Sequence, residues 1–468
     1  MSRLPDSVDT ENIEKLYDRS RYLDAFSLLE GFDPPESWTD TRARLIAGRL
    51  LSNLGAHKRS ARLQKETWRR NPGHEEARCF YLDSYYGRHG PFETLRVFHQ
   101  LFAIDAPPAN AIVVTLDTAR TWLICARCLS QFRDFEAAEL WLAAAEQAYP
   151  DDPWIQVDKA IVRQISDRYE DAQTAVEHAL EIRADYRPAI ELLASLLSLR
   201  GNDDSAIEIL RTSLKDRGFQ SVSVAVQLTN LWMEQGRLNE ALETLDLLKR
   251  FSVVAEKPLT EWLRTRRADI LHLLGRDAEA VEQAQTVRTR FYEVLAERLN
   301  AVASGRASPK RILLDVGFVR QHHMTCAPAT IAAVSAYWGR PIDHLALARV
   351  ITYDGTPDHE ERHWLQSNGW RVREFRVTWE SAVILLERGM PFTLVTTSKG
   401  AAHLQAVVGC DCGVGTFVTH VVARASSVGG MGAGQPPCRR GCNAGRSEVA
   451  ARFPVRLEYV DRMARLDR

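Results

Sequence analysis

Arg133-Asp134-Phe135-Glu136-Ala137-Ala138, Asp167-Arg168-Tyr169-Glu170-Asp171-Ala172, Gly201-Asn202-Asp203-Asp204-Ser205-Ala206, Gly236-Arg237-Leu238-Asn239-Glu240-Ala241 and Gly275-Arg276-Asp277-Ala278-Glu279-Ala280 repeat one pattern. Each copy is a turn, a few polar residues and a small residue that opens an apolar stretch. The final alanines lie 34, 34, 35 and 39 residues apart. Weaker copies around Ala25, Ser60 and Thr94 carry the series backwards at spacings of 35 and 34, with a step of 44 to Ala138. A fixed period of this length marks a repeat architecture. Between the turns the apolar residues fall at helical spacing, as in Leu193, Leu196 and Leu197 or Leu242, Leu245, Leu247 and Leu248. Each unit therefore reads as a helix, a tight turn and a second helix. About eight units fill residues 11–300.

This pattern resembles the tetratricopeptide repeat, and Pro150 sits where that family often ends its second helix. The resemblance implies an α-solenoid whose units stack into a superhelix, with a concave groove that holds a peptide or a partner protein. Two details inside the array read as packing. Cys125-Ala126-Arg127-Cys128 has redox or zinc spacing, but it lies in a helical stretch with no second pair nearby. Trp122 and Trp141 fall at repeat-core positions.

The 468 residues carry 60 basic and 61 acidic side chains, a net charge of −1. No global field favours nucleic acid or an anionic membrane; peptide or protein partners are what the repeat resemblance implies. The first residues lack the apolar stretch of a secretory signal, and no run of 18 apolar residues occurs. The expected location is the cytoplasm, where the eight cysteines stay reduced. No cofactor is expected.

Residues 301–310 are small and polar and read as a linker. A mixed α+β domain is expected over 311–425. The strand-like Ile312-Leu313-Leu314 leads to Gln321-His322-His323-Met324-Thr325-Cys326-Ala327-Pro328-Ala329-Thr330 and then to an apolar helix, Ile331 to Trp338. Cys326 thus stands at a helix mouth, where partial positive charge and unpaired N–H groups favour a thiolate. Pro391-Phe392-Thr393-Leu394-Val395 reads as a strand, and Ala402-His403-Leu404-Gln405-Ala406-Val407-Val408-Gly409 as a second strand opening with a histidine. Cysteine on a helix followed by histidine on a strand is the papain order of nucleophile and base.

Residues 312–411 resemble the papain-like cysteine peptidases that remove double-glycine leaders from bacteriocin precursors, in their transporter-free branch. The resemblance implies acyl transfer, with Cys326 as nucleophile, His403 as general base and Gln321 in the oxyanion hole. Ala327 stands where the family commonly has glycine, and Gly409-Cys410-Asp411 replaces the Gly-aromatic-Asp that ends the histidine strand. The family's orienting aspartate, on the next strand and usually before a proline, has no counterpart in Gly415-Thr416-Phe417-Val418-Thr419-His420-Val421. Asp411 is the substitute, expected at the turn rather than beside the imidazole.

Residues 426–445 show no strand or helix period, and 426–468 read as an atypical, poorly ordered tail. Cys410, Cys412, Cys438 and Cys442 admit a zinc site, though not with the usual paired spacing. The alternative is an ending replaced shortly after Asp411 by a reading-frame shift. His359-Glu360-Glu361-Arg362-His363 fits H-E-x-x-H, but its charged middle and the preceding turn suit a solvated helix. Trp364, Trp370, Phe375 and Trp379 read as packing or cleft walls. Three functions follow: a cysteine peptidase with a recruiting repeat domain, a catalytically silent scaffold that binds peptide or protein, and a zinc peptidase using His359 and His363.

Overall fold

The computed structural model describes residues 9–102, 104, 106–107, 114–322, 324–353, 355–375, 377–398, 401–420 and 457–461. Among them the repeats become helix pairs: α1 (Thr10–Asp18) with α2 (Tyr22–Ser27), α3 (Thr41–Asn53) with α4 (His57–Arg70), and α5 (Glu75–Phe102), which is broken at Gly90. There follow α6 (Leu116–Gln131) with α7 (Phe135–Ala148), α8 (Pro153–Ile165) with α9 (Tyr169–Ile182), and α10 (Arg187–Leu199) with α11 (Asp203–Lys215). The series closes with α12 (Val222–Glu234) and α13 (Leu238–Phe251), α14 (Lys257–Leu273) and α15 (Asp277–Gln285), and a further helix, α16 (Arg290–Ala303).

The repeated sequence pattern has a backbone cause. Ser20, Gly55, Gly90, Arg133, Asp167, Gly201, Gly236 and Gly275 occupy the turn between the two helices of successive pairs, and every one has a left-handed φ, between 56° and 92°. That conformation closes the first helix and aims the chain into the second; glycine adopts it without a Cβ penalty. The small residue that follows each turn is buried, as Ala25, Ala138, Ala172, Ala206, Ala241 and Ala280 are. At two units a hydroxyl takes this place, with Ser60 donating to Gly48 O at 2.7 Å and Thr94 to Gly90 O at 2.8 Å.

Among the described residues the chain divides into two compact units between Leu263 and Arg264, inside α14. In the first unit Trp122, Trp141, Cys125 and Cys128 share one buried core. Burial pushes the Cys128 thiol up to about 12, which suits packing and not chemistry. The unit also closes upon itself. Gln220 N donates to Ser20 O at 2.9 Å, Arg187 Nε reaches Tyr22 Oη at 2.9 Å, and Glu256 N donates to Gly55 O at 3.1 Å. Helix α4 has no side-chain cap of its own. Glu256, far along the chain, supplies one by accepting from Lys58 N at 3.0 Å and Arg59 N at 2.9 Å.

The second unit holds a sheet of β1 (Arg311–Leu313), β2 (Arg371–Phe375), β3 (Phe392–Ser398), β4 (Ala401–Asp411), β5 (Thr416–His420) and β6 (Leu457–Asp461) in the order β1-β4-β3-β6-β2, with β5 also paired to β4. Strand β4 is the hub. Its first part pairs with β3 from Ser398↔Ala401 to Phe392↔Val407, and its end pairs with β1 from Leu313↔Gly409 to Arg311↔Asp411. Among the described residues four helices join the sheet: α17 (Cys326–Tyr337), α18 (His344–Ile351), α19 (Asp358–Ser367) and α20 (Trp379–Glu387). Ala333 and Val334 of α17 pack on Ala406 and Val408, while Ala382 and Leu386 of α20 pack with Val407, Cys410 and Phe417. Ile331 packs with Leu347, Ile351, Leu365 and Trp370, and with Trp364 at the margin, so those tryptophans serve as core.

Residues 412–420 form a turn and β5, with Phe417 in the core, so the sheet continues to His420. From the tail, Leu457–Asp461 pairs with β2 and β3, because the edge between those strands offers free backbone donors and acceptors. Cys438, Cys442 and the rest of the tail lie outside the described residues.

Candidate active site

Thr325 precedes α17 as its N-cap, yet its hydroxyl accepts from His322 N at 2.8 Å instead of capping the helix. The first N–H groups of α17 are therefore left to other acceptors. The backbone N–H groups of Leu404 in β4, of Ala327 and of Cys326 itself each favour the thiolate form of Cys326. Thr330, one helical turn on, donates to Leu404 O at 3.2 Å and ties the same stretch of helix to the same strand residue. The Cys326 thiol thus feels the N–H that follows His403 in β4. In the loop before the helix Met324 has a left-handed φ of +58°. Such backbone outliers collect at functional sites.

Opposed influences set the state of the thiol. Burial pushes Cys326 up, the three N–H groups pull it down, and the charge of Glu361 adds to the rise; the net direction is up. Glu361 is the residue that sequence reasoning missed. It was expected on a solvated helix, but it is 4% exposed. The signal was present four residues on, where Leu365 packs on the α17 residue Ile331. The other members of the H-E-x-x-H run turn outward: the side chains of His359 and Glu360 are 76% and 47% exposed, and His363 is exposed too. Among the described residues no three His, Cys, Asp or Glu side chains converge as metal ligands.

Gln321 is 4% exposed, with its Oε1 buried and without a hydrogen-bond partner. His403 is half-buried and paired with Thr396 across β3, where Gln405 Nε2 also reaches Thr396 Oγ1 at 2.9 Å. Asp411 lies at the end of β4, eight residues beyond His403 and about 26 Å away along an extended strand. There it pairs with His272 and Arg311. Cys410 and Cys412 bring their sulfurs to 3.8 Å, two thiols where a structural zinc needs four ligands.

Fold and site together define a tetratricopeptide-like helical-repeat protein carrying a cysteine-peptidase-like domain. Residues 313–426 match the model of the Peptidase_C39 like family, a span that includes Gln321, Cys326, His403 and Asp411. No curated protein matches the chain. Among solved structures, the crystal structure of the APC/C hetero-tetramer Cut9-Hcn1 is 13% identical with a TM-score of 0.43, over 82% of this chain and 60% of that one. The chain thus spans less than two thirds of that structure's length. A thermophilic TPR protein of Thermus thermophilus is 15% identical with a TM-score of 0.32, over 42% of this chain and 100% of that one. The Pseudomonas aeruginosa pilF structure is 16% identical with a TM-score of 0.34, over 54% of this chain and 99% of that one. No described helix is long and apolar enough to cross a membrane.

Proposed function

We propose that the C-terminal domain hydrolyses a peptide bond through Cys326 and His403, and that the repeats recruit the peptide or protein to be cut. The observation that supports this most is the seat of the Cys326 thiol, at the N-terminus of α17 and under the influence of the N–H that follows His403. In this reading His403 takes the thiol proton and the thiolate attacks the substrate carbonyl. The Cys326 N–H and the Gln321 side chain then hold the oxyanion, His403 gives the proton to the amine that leaves as the C–N bond breaks, and water hydrolyses the remaining thioester to release the acid. Resemblance to leader peptidases makes a peptide ending in small residues the first substrate class to try. The reading places the chain in the cytoplasm, where its nucleophile stays reduced.

The test is digestion of a diverse peptide library by the full-length protein, read by mass spectrometry. Cleavage that disappears in both Cys326→Ser and His403→Ala supports the reading. Cleavage that survives Cys326→Ser contradicts it.

A second reading is a scaffold that binds peptide in this cleft without turnover. Two observations favour it: burial and Glu361 hold the Cys326 thiol up, and Asp411 is engaged far from His403. A library bound but returned uncut would establish it.

A further inference from the structure

Strand β4 carries His403 near one end and Asp411 at the other, and a built charge cluster surrounds Asp411. His272, in the last turn of α14, sets Nδ1 2.8 Å from Asp277 Oδ1 at the start of α15 and Nε2 3.3 Å from Asp411 Oδ2. Arg311 of β1 reaches the same Oδ2 through Nη2 at 3.0 Å and Nε at 3.1 Å, and its Nη2 stands 3.2 Å from His272 Nε2. Asp411 Oδ1 accepts from Val414 N at 3.1 Å. Helix α16 joins next door, where Arg298 Nη1 donates to Val414 O at 2.9 Å and Gly415 O at 3.3 Å. The charged groups facing His272 are thus Asp277 from α15, Asp411 from β4 and Arg311 from β1. An imidazole between two shielded carboxylates bridges them as a cation only while it holds its second proton.

We propose that His272, Asp277, Asp411 and Arg311 form a proton-dependent clamp by which α14 and α15 hold the far end of the strand that carries His403. The clamp sits where β4 takes its register on β1, at Arg311↔Asp411, and a one-residue slip there would turn every β4 side chain to the opposite face. Burial opposes the charge on His272, but the bonds to Asp411 and Asp277 outweigh it and raise its pKa. Burial likewise opposes the charge on Asp411, yet His272, the Val414 N–H and Arg311 bring it down to about 2. The signs then fix a window. The His272 contribution is whole below the ordinary histidine value of about 6.5 and disappears as pH rises through the raised one. The Asp411 contribution is whole above the ordinary carboxylate value and disappears as pH falls toward about 2.

From the peptidase reading this inference takes only the identity of the strand, and its test reads stability rather than turnover. The thermal midpoint of the full-length protein is followed from pH 5.5 to 9.5 beside His272→Gln, which keeps a polar side chain without the charge. The intact protein should lose about 2–4 °C more than the variant between pH 6 and 9. The imidazole resonance missing from the variant's proton NMR spectrum should titrate above the ordinary histidine value. Parallel midpoint profiles and a resonance titrating at or below that value would overturn the clamp. If His272→Gln does not fold, Asp277→Asn should lower the same titration, and an unmoved one overturns the proposal. Cys326→Ser abolishes hydrolysis and should leave the profile as it is, so the clamp and the peptidase reading fail separately.

Discussion

At the scale of single residues, Cys326 and Gln321 announce themselves through chemistry that the chain writes locally. A cysteine directly before an apolar helix and a glutamine five positions earlier need no tertiary information to be singled out. Glu361 does need it, because a carboxylate among charged neighbours is ordinary until a packed helix turns it inward. Its effect on the nucleophile has a definite sign. Glu361→Gln removes a negative charge that raises the Cys326 thiol, so alkylation of Cys326 should move to lower pH. Iodoacetamide rates at Cys326, read by peptide mapping across pH 6 to 9, check this; a shift to higher pH would mean that Glu361 acts otherwise. In the proposed mechanism Gln321 serves the oxyanion step. Gln321→Ala should lower kcat about 10²–10³-fold, as loss of an oxyanion donor does, and leave Cys326 alkylation unchanged. Stopped peptide assays beside alkylation separate the two effects.

At the scale of elements, the repeat was legible because its turn makes a backbone demand that recurs. Five glycines and three other residues meet the same left-handed turn, and the buried small residue follows at a nearly constant offset. The closure of the first unit was not legible, since Glu256 caps α4 across 198 residues, and nothing local marks it. Glu256→Ala should cost about 1 kcal/mol, typical of a lost N-cap, with hydrogen exchange rising first at Lys58 and Arg59. In β4 the glycine of the Gly-x-Asp ending has a steric reason. A Cβ at Gly409 would collide with the backbone oxygen of Ile312 on β1. Gly409→Ala should therefore destabilise the sheet by about 1–3 kcal/mol, the range for overpacking, in urea unfolding followed by tryptophan fluorescence.

At the scale of the whole molecule, the sequence set its boundary at a polar linker, where composition changes. The structure sets the division of compact units at Leu263 and Arg264, because His272 and Arg298 bond to residues 411–415. Sequence composition could not show this, since such bonds join segments more than a hundred residues apart. A fragment starting at residue 257, which keeps α14 whole, should fold as a stable peptidase-like unit. One starting at residue 304 should express poorly or melt earlier, as thermal scans of the two fragments would show. Equal stability would mean that the helices before the linker add nothing to the sheet.

The proposed chemistry stands on Cys326 and His403 acting as one ionising pair. With His403 neutral, burial holds Cys326 as a thiol, so the thiolate should form by transfer of its proton to that imidazole. The decisive measurement is the rate of Cys326 alkylation by iodoacetamide from pH 5 to 9, in the intact protein and in His403→Ala. A working pair should give an apparent pKa below the free-thiol value of about 8.5 in the intact protein and above it in the variant. Reaction that titrates above that value in both would refute the pair, and the domain would then be a peptide-binding module without a working nucleophile.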